Sequence, residues 1–146
     1  SKLIQKLSKD GVQLNITAIL TLEQVRLVGE ALRDGSSAFV SVFAGRIADT
    51  GFDPLPLMKE ALELLKPISN TELLWASPRE LFNIYQAHEV GCQIITVTPD
   101  ILSKLSLVGK DLDEYSLETS KAFFDDAVEA GFEIKIKDAI LDRERV

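Results

Sequence analysis

The sequence is poor in the side chains that most enzyme chemistry and all protein cross-linking use: its 146 residues include one cysteine, Cys92, and one histidine, His88. A lone cysteine excludes a disulfide within the chain and is typical of a reducing compartment, so we expect the cytoplasm. A lone histidine without a cysteine or carboxylate cluster at ligand spacing argues against a metal site and against His-assisted nucleophiles. We expect neither a metal nor another cofactor.

Positive charge and long apolar runs are also scarce. Sixteen lysines and arginines stand against 23 acidic residues, which gives a net charge of -7. Nucleic-acid phosphates require clustered cations, so we expect no nucleic-acid partner. No apolar run approaches the roughly 20 residues of a membrane-spanning helix, so we expect no membrane partner. The opening stretch SKLIQKLSKDG predicts an amphipathic helix and lacks the pattern of a signal peptide.

What the chain does have is a regular alternation of apolar strands and helices. This alternation predicts βα units, and hence an α/β fold with a parallel sheet. Hydroxyl residues at Thr21, Ser77 and Thr98 predict helix starts, the first as a capping box with Gln24 and the other two with proline at the next position. Strands are predicted at 12–20, 38–44, 72–76 and 93–97, and helices at 22–33, 55–65, 78–89, 99–105 and 117–130.

Polar side chains collect where these strands end. The carboxyl ends of parallel strands share one edge of the sheet, where α/β proteins bind ligands. Arginines, hydroxyls and the amides of a helix beginning at Ser77 together predict an oxyanion or phosphate site. The residues on this edge are Asn15, Thr17, Ser41, Arg46, Ser77, Arg79, Thr96 and Thr98.

Simpler interpretations of the same residues stay open. Asn15 and Thr17 could satisfy each other inside the sheet, and Ser77 could be a helix cap and nothing more. Arg46 could form an ordinary exposed ion pair with Asp49 or Asp53.

Four stretches in register resemble the transaldolase and fructose-6-phosphate aldolase family: GVQLNITAIL, FVSVFAGRIADTG, ELLWASPRE and GCQIITVTPDIL. The resemblance covers about residues 1–130. It implies a (β/α)8 TIM barrel that uses a lysine Schiff base on sugar phosphates. This chain would then supply about strands 5–8, a half barrel, as residues 1–130. Residues 131–146 would form a C-terminal tail that contacts another subunit.

The resemblance also implies residue roles. Asn15 is similar to the family asparagine beside the Schiff base, and Thr17 to its partner that helps to hold the catalytic water. Ser41 is similar to the serine that contacts the dihydroxyacetone end of the substrate. Phe43 occupies a position where transaldolases tend to have phenylalanine and simple aldolases tyrosine. The phosphate contacts implied are Arg46, Ser77 and Arg79.

The family's nucleophile has no counterpart in this sequence. The resemblance places a lysine on the fourth strand and a proton-relay aspartate on the first. None of the ten lysines lies at a predicted strand end, and Lys135 and Lys137 belong to the tail. We therefore expect a transaldolase-type transfer of dihydroxyacetone units that needs a complementing N-terminal half, in a homo-oligomer or with a second chain, and no turnover by this chain alone.

Three alternatives stay open at this point. One is a fructose-6-phosphate aldolase-like lyase, and another is a half barrel that binds phosphosugars without chemistry and dimerises to close its sheet. The third is a different barrel aldolase or isomerase that shares only the phosphate edge, although the Asn15–Thr17 pair argues against it.

Overall fold

The structure is a computed structural model that describes residues 1–132, and the chain divides into two compact units after Ser106. The described part of the second unit contains helix α7 (Leu112–Glu129), which follows a short 3₁₀ segment at Lys104–Leu107. In chain order the first unit contains α1 (Lys2–Lys9), β1 (Leu14–Ile19), α2 (Leu22–Leu32), β2 (Ala38–Val42), α3 (Ala44–Asp49), α4 (Pro54–Leu65), β3 (Thr71–Trp75), α5 (Phe82–Val90), β4 (Ile94–Ile95) and α6 (Pro99–Ser103).

The four strands form one parallel sheet in the order β1-β2-β3-β4. Each neighbouring pair is joined through a helix, as parallel pairing requires. This confirms the predicted α/β class with a parallel sheet, an arrangement consistent with the TIM-barrel family. That these strands are numbers 5–8 of a barrel stays a prediction, as does the boundary at residue 130. The tail from 133 onward, with Lys135 and Lys137, lies outside the described residues.

Alternate residues of the strands point to two different faces of the sheet. One, which we call the covered face, carries Val40, Val42, Leu73 and Trp75, all completely buried. It packs on apolar side chains of α2 and α4: Val25, Val28, Leu32, Met58, Ala61 and Leu65. Burial of each large side chain stabilises the fold by about 1.5–3 kcal/mol, so this face holds the core of the first unit.

The second face, which we call the open face, carries the intervening residues. Asn15, Phe39 and Glu72 lie in register across three strands, as do Ser41 and Leu74 across two. Asn15 and Glu72 are exposed, whereas Ser41 is buried. Asn15, Ser41 and Glu72 therefore lie on this side, apart from the helix layer of α2 and α4, whereas Thr71 lies on the covered face in register with Ala38.

Two of the three predicted hydroxyl starts are confirmed as helix starts. The Thr21 Oγ1 accepts the Gln24 N–H at 3.2 Å, and the Gln24 side chain accepts the Thr21 N–H at 3.1 Å. This is the predicted capping box of α2. Thr98 is the N-cap of α6 with Pro99 after it, but its side chain makes no capping hydrogen bond.

The predicted helix start at Ser77 is wrong. Helix α5 begins at Phe82, and Ser77 has a positive φ of 58° that no helix start adopts. The reason is Asn83, whose Oδ1 accepts the backbone N–H groups of Arg79 at 2.7 Å and Glu80 at 3.1 Å. This side chain satisfies the donors that a first helical turn would leave free, so an irregular turn precedes the helix. The amides of Arg79 and Glu80 are thus already engaged.

The predicted strand 38–44 is also too long, because β2 ends at Val42 and α3 begins at Ala44. Gly45 lies within this helix, and its backbone packs against the end of β3. A Cβ built on Gly45 would lie 1.5 Å from the carbonyl oxygen of Ser77. Glycine is needed here for close approach of two chain segments.

Two other boundaries differ from the sequence prediction. The last helix begins at Leu112 instead of 117, because the Asp111 carboxylate caps it by accepting the N–H groups of Asp113 and Glu114. The fourth strand is reduced to Ile94–Ile95. Within residues 1–132, no helix combines the length and apolar character needed to cross a membrane.

Candidate functional site

The centre of the predicted site is a hydrogen bond between two strands. The Ser41 Oγ donates to the Asn15 Oδ1 at 2.6 Å across the β1–β2 pair. Because the carbonyl side of the Asn15 amide is occupied, its NH₂ group remains as the donor for a ligand. Asn15 therefore pairs with Ser41. The simpler interpretation, in which Asn15 and Thr17 satisfy each other, is not what the structure shows. Its amide is held in one orientation by a buried hydroxyl.

Strand β1 is irregular just beyond Asn15. The β1–β2 register shifts between Ile16 and Ile19, and Ala18 has a φ of 62°. A non-glycine residue with such a φ is strained, and β-bulges that carry extra residues are common next to binding sites. Thr17 lies at this bulge and is exposed. The bulge thus redirects the chain at the carboxyl end of β1, where the predicted site lies.

Arg46 lies over an aromatic ring. Phe43 immediately precedes α3, and the Cζ of Arg46 is 5.2 Å from its ring centroid. Such a cation–π contact holds a guanidinium without consuming its hydrogen-bond donors. In the described part of the chain no carboxylate lies within salt-bridge distance of Arg46, so the ion pairs considered for it with Asp49 or Asp53 are not formed.

Arg79 is held by a carboxylate instead. Its Nε lies 2.9 Å from Asp49 Oδ1, and its Nη2 lies 2.5 Å from Asp49 Oδ2, which makes a bidentate bridge. The hydrogen bond from Arg79 lowers the pKa of the Asp49 carboxyl, helped by the charges of Arg79 and Arg46, and it raises the pKa of Arg79. The bridge joins the end of α3 to the turn after β3, 30 positions apart in the chain.

Ser77 belongs to the same junction. It is half-buried, and its carbonyl lies against Gly45, one residue before Arg46. Direct contacts therefore connect the predicted residues in pairs, Asn15 with Ser41 and Phe43 with Arg46, while Ser77 and Arg79 both meet α3. Thr17 makes no side-chain hydrogen bond to these residues within the described range.

Sequence reasoning missed Asp49 as a partner of Arg79. The signal was present, because Asp49 lies in the GRIAD run of α3, but it was considered only as a partner of Arg46. The turn at Ser77 that brings Arg79 to it could not be anticipated, since it depends on the side chain of Asn83.

A separate cavity of about 820 Å³ lies beside α3 and shares only Arg46 with the predicted residues. We call it the outer cavity. Its walls are mainly apolar, and Asn15, Ser41, Ser77 and Arg79 are not among the residues that line it. The apolar residues that line it are Leu20, Leu22, Ile47, Phe52, Pro56 and Leu57.

Other chemistry has little support among residues 1–132. No three histidine, cysteine or carboxylate side chains in this range form a candidate metal cluster. No lysine of this range lies in a strand. The described site can bind an anion and donate hydrogen bonds to hydroxyl or carbonyl oxygens, but it contains no amine nucleophile on the sheet.

Comparison with known proteins gives a consistent picture. A probable transaldolase of Methanococcus maripaludis (strain C7 / ATCC BAA-1331) is 31% identical over 71% of this chain and 47% of its own length. Another from Thermoanaerobacter sp. (strain X514) is 30% identical over 82% of this chain and 53% of its own. The chain spans about half the length of the curated relatives it matches. The model of the family described as Transaldolase/Fructose-6-phosphate aldolase matches residues 1–143. The chain therefore belongs to the transaldolase and fructose-6-phosphate aldolase family.

Proposed function

We propose that this chain supplies the substrate-binding half of a transaldolase. In this proposal a (β/α)8 barrel transfers a dihydroxyacetone unit between sugar phosphates through a lysine Schiff base. Residues 1–130 form about strands 5–8, and the lysine comes from strand four of an N-terminal half. Family membership and the all-parallel sheet support this, as does the half-length coverage of the relatives.

The chemistry divides between the two halves. The lysine amine adds to the ketose carbonyl, and loss of water gives an imine. The carbon–carbon bond between the α and β carbons of the imine then breaks, its electron pair moves into the protonated imine to form an enamine, and the hydroxyl on the β carbon loses a proton so that the aldose phosphate departs as an aldehyde. The enamine attacks the aldehyde of an acceptor, and water releases the new ketose and restores the amine.

The residues of this chain hold the substrate during these steps. The Asn15 NH₂ group donates to the oxygens of the dihydroxyacetone unit, and Ser41 keeps this amide in place. Thr17 helps to hold the catalytic water. Arg46, Ser77 and Arg79 bind the phosphate, since guanidinium groups match phosphate oxygens in charge and geometry.

The observation that carries the proposal is the Asn15–Ser41 hydrogen bond on the open face, which joins the second residue of β1 to the last residue but one of β2. A plain phosphate edge does not require such an amide–hydroxyl pair, whereas an amide NH₂ held in this way can donate to the carbonyl and hydroxyl oxygens of a ketose. Phe43 favours transfer over an aldolase-like lyase, because phenylalanine has no phenol to donate a proton.

Borohydride trapping with fructose 6-phosphate tests the mechanism. We expect the protein that includes the complete barrel to gain the mass of a reduced dihydroxyacetone adduct and to transfer that unit to an aldose phosphate. The 146-residue chain alone should do neither. An adduct on the isolated chain would contradict the division of labour, and the absence of an adduct on the complete barrel would refute the Schiff base.

A second candidate is a phosphosugar-binding half barrel without chemistry. It is favoured by the lack of any lysine in the strands of residues 1–132. In this case the chain would dimerise in the cytoplasm to cover its exposed β1 edge, because an unpaired strand edge promotes association. Stable dimers in light scattering that bind sugar phosphates, together with no trapped adduct under any condition, would favour this alternative over the transaldolase.

A further inference from the structure

Two arginines of the proposed phosphate site are held in different ways. Arg46 lies on the Phe43 ring at 5.2 Å, whereas Arg79 is bridged by Asp49 through two N–H groups. We propose that Asp49 is a positioning residue for phosphate: it fixes the guanidinium of Arg79 so that its remaining donors meet the substrate. This inference rests on the proposed function of the strand-end site.

The donor geometry of Arg79 supports this role. A guanidinium has five N–H donors, and Asp49 uses the Nε–H and one N–H of Nη2. The two N–H groups of Nη1 and the second of Nη2 remain on the edge away from the carboxylate. These are the donors that a phosphate needs for a two-point contact. Asp49 therefore holds one edge of the group and leaves the other for a ligand.

The salt bridge restricts the rotamers of a side chain that is exposed to solvent. Arg79 and Asp49 are about half exposed, with 47% and 51% of their side-chain surface accessible. An unheld arginine at such a position would lose rotamer freedom when the anion binds, and this loss weakens affinity. Because Asp49 belongs to α3, which also carries Arg46, one short helix sets the positions of both cations.

Charge and positioning predict opposite effects of removing the carboxylate. Asp49→Asn raises the local charge by one, which by Coulomb attraction alone should tighten anion binding. If Asp49 positions Arg79, the same change should weaken binding. An asparagine side chain has only one acceptor oxygen, so it cannot accept both the Nε–H and the Nη2–H of Arg79 as the carboxylate does. The sign of the change in phosphate affinity thus separates the two roles.

Titration calorimetry of the chain with inorganic phosphate measures this sign. We expect Asp49→Asn to raise the Kd about 3- to 10-fold, and Asp49→Glu to recover part of the loss. Thermal unfolding should change by less than about 3 °C, since an exposed pair contributes little stability. Glu30→Gln is the matched control: it removes the same charge from another arginine–carboxylate pair, Arg26–Glu30 on α2, and should leave the Kd unchanged.

A double-mutant cycle decides whether Asp49 acts through Arg79. In an Arg79→Ala background, Asp49→Asn should cause no further loss of phosphate affinity. A full loss in that background, or an unchanged or lower Kd for Asp49→Asn in the parent chain, would overturn the inference. A parent chain that binds no phosphate would overturn it together with the phosphate assignment. The expected Kd changes without a borohydride adduct on the complete barrel would instead refute only the proposed chemistry.

Discussion

The two faces of the sheet are built for different purposes although their residues alternate along the same strands. On the covered face Val40, Val42 and Trp75 are fully buried against helices. On the open face Asn15 and Ser41 form a hydrogen bond. Ser41 lies two residues after Phe39 and two residues before Phe43 in the sequence. The period of two in a strand is what allows one short segment to carry both sets.

The difference indicates that one set of residues stabilises this chain and that another set, as we propose, binds the ligand. The covered face stabilises the fold mainly by apolar burial, and its polar residue Thr71 donates its hydroxyl to the Ile68 carbonyl oxygen. The open face and the strand ends instead contain strained backbone at Ala18 and Ser77, and exposed charges at Arg46 and Arg79. Neither backbone strain nor exposed cations add to the stability of the fold, which agrees with the ligand-binding role that we propose for these residues.

The largest loss of stability should come from shortening a buried side chain on the covered face. We expect Trp75→Ala to lower the free energy of unfolding by about 3–5 kcal/mol, because it removes the largest fully buried side chain and leaves a cavity. Since Trp75 is the one tryptophan of the chain, urea unfolding should be followed by far-UV circular dichroism. Asn15→Ala on the open face is the control, and an equal loss there would contradict the division between the faces.

The next largest effect concerns the contact where α3 meets the end of β3. Gly45→Ala places a methyl group 1.5 Å from the Ser77 carbonyl oxygen, so one of the two segments must move. We expect a loss of about 1–3 kcal/mol in urea unfolding and weaker phosphate binding. Gly11→Ala is the contrast: no atom lies within 4 Å of its new methyl group, and its φ of 89° means that any loss there comes from backbone strain without a steric clash. Unchanged phosphate affinity in Gly45→Ala would separate this contact from the site.

A smaller effect tests the helix layer that supports the covered face. Thr21→Ala removes the hydroxyl that caps α2 and should lower the free energy of unfolding by about 1 kcal/mol. Thr98→Ala provides the comparison, because Thr98 occupies an N-cap position without a capping hydrogen bond and should change it by less than about 0.5 kcal/mol. Equal losses in the two variants would show that the observed hydrogen bond is irrelevant.

A modest effect on stability should accompany the largest effect on binding. Ser41→Ala leaves the Asn15 amide oxygen without its partner, at a cost of about 0.5–1.5 kcal/mol in unfolding. On the complete barrel we expect the rate of borohydride adduct formation to fall at least about tenfold, since the amide loses its fixed orientation. If the adduct forms at the parent rate while stability falls as expected, the hydroxyl serves the fold alone.

Much of the fold could be predicted from periodicity and capping residues. The capping box at Thr21 was found because its hydrogen bonds are local, within three positions of the chain. The start at Ser77 was wrong because Asn83 competes for the backbone donors, an interaction that a Ser-Pro pattern does not reveal. Helix α3 was missed since its start depends on Gly45 packing against a residue 32 positions away.

The site was predictable in composition but not in pairing. The alternation of strand residues places Asn15 and Ser41 on one face, and Arg46 follows the end of β2, so their residue types were enough to predict a candidate binding site, which stays a prediction. Which carboxylate holds which arginine depends on a turn and a short helix that meet in three dimensions. The sequence therefore indicated Arg79 as a phosphate contact. It suggested Asp49 only as a partner of Arg46, whereas the structure pairs Asp49 with Arg79.

Peptide mapping of the trapped adduct tests the central claim most directly. The complete barrel should be reduced with borohydride in the presence of fructose 6-phosphate, digested and analysed by tandem mass spectrometry. The account predicts that the adduct lies on a lysine outside the 146 residues, and that Asn15→Ala reduces its yield without moving it. An adduct on any of the ten lysines of this chain would contradict the claim that these residues bind the substrate and another segment supplies the nucleophile.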